Sequence, residues 1–221
     1  MDAAASNALL KSLEEPPEYA LLLLTTASEA SLLPTIRSRC VTIWLGAIAK
    51  TQVVEFLKRS GAGGDERERD LRAALSAGSP GKALRMNLKH YLELRESLLS
   101  MLQAGLARRN FAELFRQTQA LSRHKEKLEI LLEVLYSLFQ DILHLETKAN
   151  GEPLRNADRP KALVEIAHSL GPGGVAAAVA ALGTLERNLR RNVSMQIALE
   201  AFATGLATLR SAPRESARIA R

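Results

Sequence analysis

Two short stretches of this 221-residue sequence carry side chains suited to phosphate chemistry. Arg37-Ser38-Arg39-Cys40 sets two guanidinium groups just ahead of an apolar run, in a loop that follows a segment broken by Pro34. A guanidinium is permanently charged and offers a planar fork of donors that matches phosphate oxygens. Held at the edge of a domain, it can stabilise the charge of a phosphoryl-transfer transition state next door. An ordinary surface salt bridge uses the same group, and the residues taken alone favour that plainer use. The second stretch, Gly78-Ser79-Pro80-Gly81-Lys82-Ala83, has the look of a phosphate loop and fails on count. Two residues separate the glycines where four are needed, Ala83 stands where a magnesium-binding Ser or Thr belongs, and a helix rather than a strand precedes it. Helix capping explains these residues better, with Ser79 as N-cap and Pro80 in the first turn.

The remaining candidates are sparse. His90, His124, His144 and His168 have no ligand partner at metal spacing, Cys40 is the single cysteine, and no Gly-x-Ser-x-Gly elbow occurs. Glu14-Glu15 precede Pro16-Pro17 and read as a solvated turn. Arg187, Arg190 and Arg191 share a helical face that suits phosphates, a solvated surface or salt bridges.

The elements that must position these groups are mostly helical. Hydrophobic residues make up 47% and aromatics only 4%, with Leu and Ala dominant, a bias towards helix. An apolar stripe over 3–13 predicts a short helix stopped by Pro16-Pro17. Residues 19–26 and 41–45 read as two buried strands of a parallel sheet. Helices are expected over 50–60, from Asp65 to Gly78, and over 80–88, then over 90–107, 111–121 and 128–145. In the last of these Glu129, Glu133, Ser137, Gln140, Asp141 and His144 form a narrow polar strip on an otherwise apolar cylinder. Residues 147–160 read as an exposed loop, 161–169 as a short helix closed by Gly171-Pro172-Gly173-Gly174, and the chain to about 210 as a long helical region. Met195, Leu199, Phe202, Leu206 and Leu209 recur at spacings of four and three, the mark of a packing seam. The tail 211–221 is basic and expected to fray.

Lone cysteine usage excludes an intrachain disulfide framework and fits a reducing compartment. No stretch reaches the roughly 18 uninterrupted apolar residues of a membrane span, and no secretory signal pattern opens the chain. A formal charge of +6 is a mild lean towards acidic partners. Two parallel-type strands with no sheet to join are not a stable unit, so the sequence reads as a portion of a longer protein.

Taken together, Asn7-Ala8-Leu9-Leu10-Lys11-Ser12-Leu13-Glu14-Glu15-Pro16-Pro17, the run ending in Thr25-Thr26, and Leu33-Pro34-Thr35-Ile36-Arg37-Ser38-Arg39-Cys40 resemble the bacterial clamp-loader ATPases of DNA polymerase III. The resemblance implies a mainly α chain: 1–45 the remnant of an AAA+ α/β domain with two strands, 46–88 a three-helix lid, 89–210 a helical collar that holds a five-subunit ring, and 211–221 a tail. It implies Arg39 as an arginine finger acting in trans and Thr25 or Thr26 as the sensor 1 region. ATP and magnesium are then expected only in the neighbouring subunit, with no cofactor in this chain. Gly81 stands where ATPase members carry a sensor 2 arginine, with Lys82 and Arg85 as possible substitutes. This points to a delta-prime type that supplies a finger, hydrolyses nothing itself, and joins gamma/tau and delta subunits, the sliding clamp and primed DNA in the bacterial cytoplasm. The alternatives are a gamma/tau fragment, or a helical nucleic-acid-binding or adaptor module.

Overall fold

The computed structural model describes residues 10, 12–26, 28–107, 111–123, 128–147 and 153–209. It divides into two compact units, 1–46 and 47–221.

In the first unit a single 3-10 turn, Glu29–Ser31, precedes the helical turn Pro34–Arg37 (α1), which proline opens and whose Ile36 is buried. The segments expected as strands carry no strand pairing among the described residues. Their apolar side chains face solvent, with Leu21 at 83%, Val41 at 91% and Leu45 at 92% exposure. The β-branched and leucine-rich composition is strand-like, but a strand needs partner backbones for its N–H and C=O groups. The helix expected over 1–17 falls mostly outside the described residues; within it Leu10 and residues 12–14 are helical.

The regular elements of the second unit are all helices among its described residues. Three short helices come first: Lys50–Arg59 (α2), Glu66–Leu75 (α3) and Pro80–Arg85 (α4). Their caps follow from sequence. The Gln52 side chain accepts from Ala49 N at 3.1 Å, Asp65 accepts from Glu68 N at 2.8 Å, and Ser79 from Lys82 N at 3.4 Å. Val53, Leu57, Ala73 and Ala83 form a small core between them, while Leu75 joins the main core.

That main core is built by Leu88–Leu106 (α5), Phe111–Arg123 (α6), Leu128–Thr147 (α7), Pro160–Arg190 (α8) and Met195–Leu209 (α9). Asn87 caps α5 through His90 N. Helices α7 and α8 share the most extensive interface, and α9 packs on α5, α6 and α8. Phe139 and Phe202 meet edge to face, 5.9 Å between centroids.

Helix α8 is long and apolar enough to cross a membrane by length and composition. One face of it, with Leu163, Leu170, Val175, Leu182 and Leu189, is buried in the core. The expected stop at Gly171 is a kink: at φ 65° and ψ 172° this one residue leaves helical geometry, and Pro172 restarts the helix at once. The long region to 210 is divided at Arg191–Ser194, where Asn192 takes φ 59°. The tail lies outside the described residues.

Candidate functional site

Arg39 lies two residues beyond α1, its side chain 34% exposed. Nη1 donates to the Thr35 carbonyl at 2.9 Å and more weakly to Ser38 Oγ at 3.4 Å; Nη2 donates to Glu14 Oε1 at 2.6 Å. Glu14, read from sequence as a solvated turn residue, is therefore the ion-pair partner of this arginine. Its side chain is exposed, as read, but a contact 25 residues away along the chain leaves no local pattern to announce the pair. Arg37 pairs with Glu29, Nε to Oε1 at 3.0 Å. Of the Thr25-Thr26 pair, Thr26 Oγ1 donates to the Ser28 carbonyl at 3.0 Å. Thr25 and Cys40 line a common pocket with Leu24 and Ile43.

The Gly78–Ala83 stretch forms a helix start rather than a phosphate cradle. Gly81 sits inside α4 with Arg85 folded beside it: a Cβ placed there would lie 3.5 Å from Arg85 Nη2. Lys82 is paired with Glu133 of α7, Nζ to Oε1 at 2.9 Å. Arg85 is exposed. The three sensor 2 candidates therefore differ: Gly81 offers no charge, Lys82 is engaged by a carboxylate of this chain, and Arg85 faces solvent.

In α9, Leu199, Phe202 and Leu206 are buried, with Met195 and Leu209 half-buried against the same core. Thr118 of α6 donates to Glu200 at 3.1 Å across the seam. Arg187 donates to Thr184 and Arg190 pairs with Glu186, each within α8. Tyr136 of α7 also donates to Glu186 at 2.6 Å; this bond and the Arg190 pair hold the Glu186 carboxyl below its ordinary range.

The chief feature that sequence reasoning missed is a buried polar cluster. Ser137 and Asp141, read from sequence as part of a narrow polar strip, are both buried at one-turn spacing. Asp141 accepts from Arg155 N at 3.0 Å, Asn156 N at 2.8 Å and Asn156 Nδ2 at 2.8 Å. Asn156 is fully buried, so among the described residues of the expected 147–160 loop, most of them exposed, this one anchors the segment 153–159. Next to it Arg95, 1% exposed, makes a two-pronged bond to Asp158, Nη1–Oδ1 2.8 Å and Nη2–Oδ2 2.6 Å. Burial pushes the Asp158 carboxyl up, but the Arg95 hydrogen bonds and charge outweigh it and hold the group below its ordinary range. Tyr91, near Ser137, makes no hydrogen bond of ordinary geometry, and burial pushes its phenol up to about 12. A cleft of about 890 Å³ lies between α2, α3 and residues 153–158, its walls mixed in charge and bridged by the Lys50–Asp70 pair at 2.7 Å. Among the described residues no group of three or more His, Cys, Asp or Glu is placed to hold a metal ion.

Comparison with known proteins matches this layout. The family described as DNA polymerase III, delta subunit, matches residues 1–49, and the family for the C-terminal part of the DNA polymerase III delta subunit matches residues 89–208. The DNA polymerase III subunit delta' of Escherichia coli (strain K12) is 34% identical over 171 residues, 76% of this chain and 48% of that protein. The delta' subunit of Yersinia pestis is 35% identical over 174 residues, 75% of this chain and 48% of that protein. A shorter stretch of 51 residues is 51% identical to the tau/gamma subunit of Haemophilus influenzae, 23% of this chain and 7% of that protein. The chain spans about half the length of the curated delta' relatives it matches first. With one family covering more than half of its residues, the chain belongs to the DNA polymerase III delta-subunit family, as a delta-prime-like clamp-loader subunit.

Proposed function

We propose that this chain is the part of a clamp-loader subunit that helps assemble the loader ring and donates Arg39 in trans to an ATP site on a gamma-type neighbour. In this reading 89–210 is the collar, 46–88 the lid, and 1–45 the edge of the ATPase-like domain that faces the neighbour. Thr25 and Thr26 stand in the sensor 1 region. ATP and magnesium belong to the neighbouring site, and this chain alone catalyses nothing. ATP binding at that site would then drive, with gamma/tau and delta partners, opening of the sliding clamp and its placement on primed DNA.

The observation that carries the reading is the state of Arg39. One edge of its guanidinium is fixed by Thr35, Ser38 and Glu14, while no bond from Nε–H or from the second Nη2 hydrogen is seen among the described residues. A planar cation fixed on one side and open on the other can meet the equatorial oxygens of a transferring phosphoryl group, whose charge spreads in the transition state. Fingers of this kind are worth roughly 10³–10⁵ in rate, or about 4–7 kcal/mol of barrier. The test is reconstitution of the full-length protein with its partner subunits: Arg39→Ala should assemble normally by size-exclusion chromatography and lose most of the DNA- and clamp-stimulated ATPase. Failure of the wild-type protein to assemble would refute the collar part of the reading.

A further inference from the structure

We propose, resting on the finger reading above, that Glu14 is a positioning residue for Arg39, holding its guanidinium plane in the orientation that an incoming phosphate meets. An arginine side chain has four rotatable bonds and loses about 2 kcal/mol of rotamer entropy when fixed. Here two acceptors from separate parts of the first unit fix it. The Thr35 carbonyl takes Nη1 at 2.9 Å and Glu14 Oε1 takes Nη2 at 2.6 Å. Two anchored corners, with the covalent Cδ–Nε attachment as the third point, set the plane of the group, which one bond cannot do.

The pairing is also of the right kind. A guanidinium has five N–H donors, and its single bonds to Thr35 and Glu14 leave Arg39 with donors to spare. Glu14 bonds Nη2 through one oxygen and leaves Nε–H open. Its side chain is 50% exposed, so the pair is screened and the arginine keeps its cationic character towards a nearby phosphate. Glu15 and then Pro16-Pro17 follow, and the prolines prevent the helical segment that carries Glu14 from running on.

The experiment uses the full-length protein in the reconstituted loader with Glu14→Ala, Glu14→Gln, Arg39→Ala and the double variant. Assembly is followed by size exclusion and stimulated ATPase by steady-state kinetics. Glu14→Ala should lower kcat about two- to five-fold, the range set by an exposed ion pair, with KM for ATP unchanged. Glu14→Gln keeps an oxygen acceptor and should recover at least half of the loss. In the Arg39→Ala background Glu14→Ala should add nothing. The proposal is overturned if Glu14→Ala matches or exceeds the wild-type rate, which would make Glu14 a bystander or a restraint on the finger. Equal loss in both backgrounds, or no rescue by glutamine, also overturns it. The finger reading is judged separately: if Arg39→Ala alone keeps wild-type ATPase, both claims fall; if Arg39→Ala loses it and Glu14→Ala does not, only the positioning role falls.

Discussion

Replacing Asp141 by alanine tests whether the 153–158 segment is clamped as the geometry indicates. Asp141 is 3% exposed and its carboxylate accepts three N–H groups, two from the Asn156 backbone and side chain and one from Arg155. Removing the acceptor strands the two donors of a fully buried Asn156, at about 1–3 kcal/mol each, while the half-buried Arg155 N–H can turn to water. Some of that loss is offset because the variant no longer buries a charge. The expected cost is about 3 kcal/mol, a fall in Tm of roughly 6–12 °C for a unit of this size. Thermal and urea denaturation followed by circular dichroism at about 222 nm measure it. Asp141→Asn, which keeps one acceptor oxygen, should lose less. A loss below about 1 kcal/mol for Asp141→Ala would refute the reasoning, because such a value belongs to an exposed polar strip and not to a buried anchor.

Two further predictions concern the same unit. A Cβ on Gly105 would lie 2.5 Å from the Ala203 carbonyl oxygen, so Gly105→Ala should force α5 and α9 apart and cost about 1–3 kcal/mol, read as a lower urea midpoint despite alanine's better helix propensity. Asp158 has a folded pKa below its ordinary value, so its contribution is present above the unfolded pKa near 4 and is lost as pH falls through the lower folded value. Asp158→Asn should therefore narrow the gap between wild type and variant below about pH 4, measured as Tm against pH.

Much of the helical layout was readable because capping and periodicity are local. Asp65, Ser79 and Pro80 announce α3 and α4, and the four-three spacing of Leu199, Phe202 and Leu206 announces a buried face. What escaped depended on contacts distant in sequence. Ser137 and Asp141 look like part of a narrow polar strip until Asn156 arrives to donate to both, and Glu14 shows no partner until Arg39 meets it. A polar pair at one-turn spacing on a helix as apolar as α7 was the available signal for the first. The strand segments failed for the opposite reason: their local preference was read from composition, but no neighbouring strand is present among the described residues to satisfy it. At the candidate site the Arg37–Cys40 stretch located the arginine, while the bonds that orient it needed coordinates.

The most direct test of the central claim is the DNA- and clamp-stimulated ATPase of a loader reconstituted with full-length protein bearing Arg39→Ala, measured alongside ATP binding. The account predicts normal assembly, unchanged ATP binding and at least a roughly tenfold loss of stimulated kcat, since the finger acts only on the transition state of a neighbour's reaction. Wild-type kcat in an intact Arg39→Ala loader would contradict it.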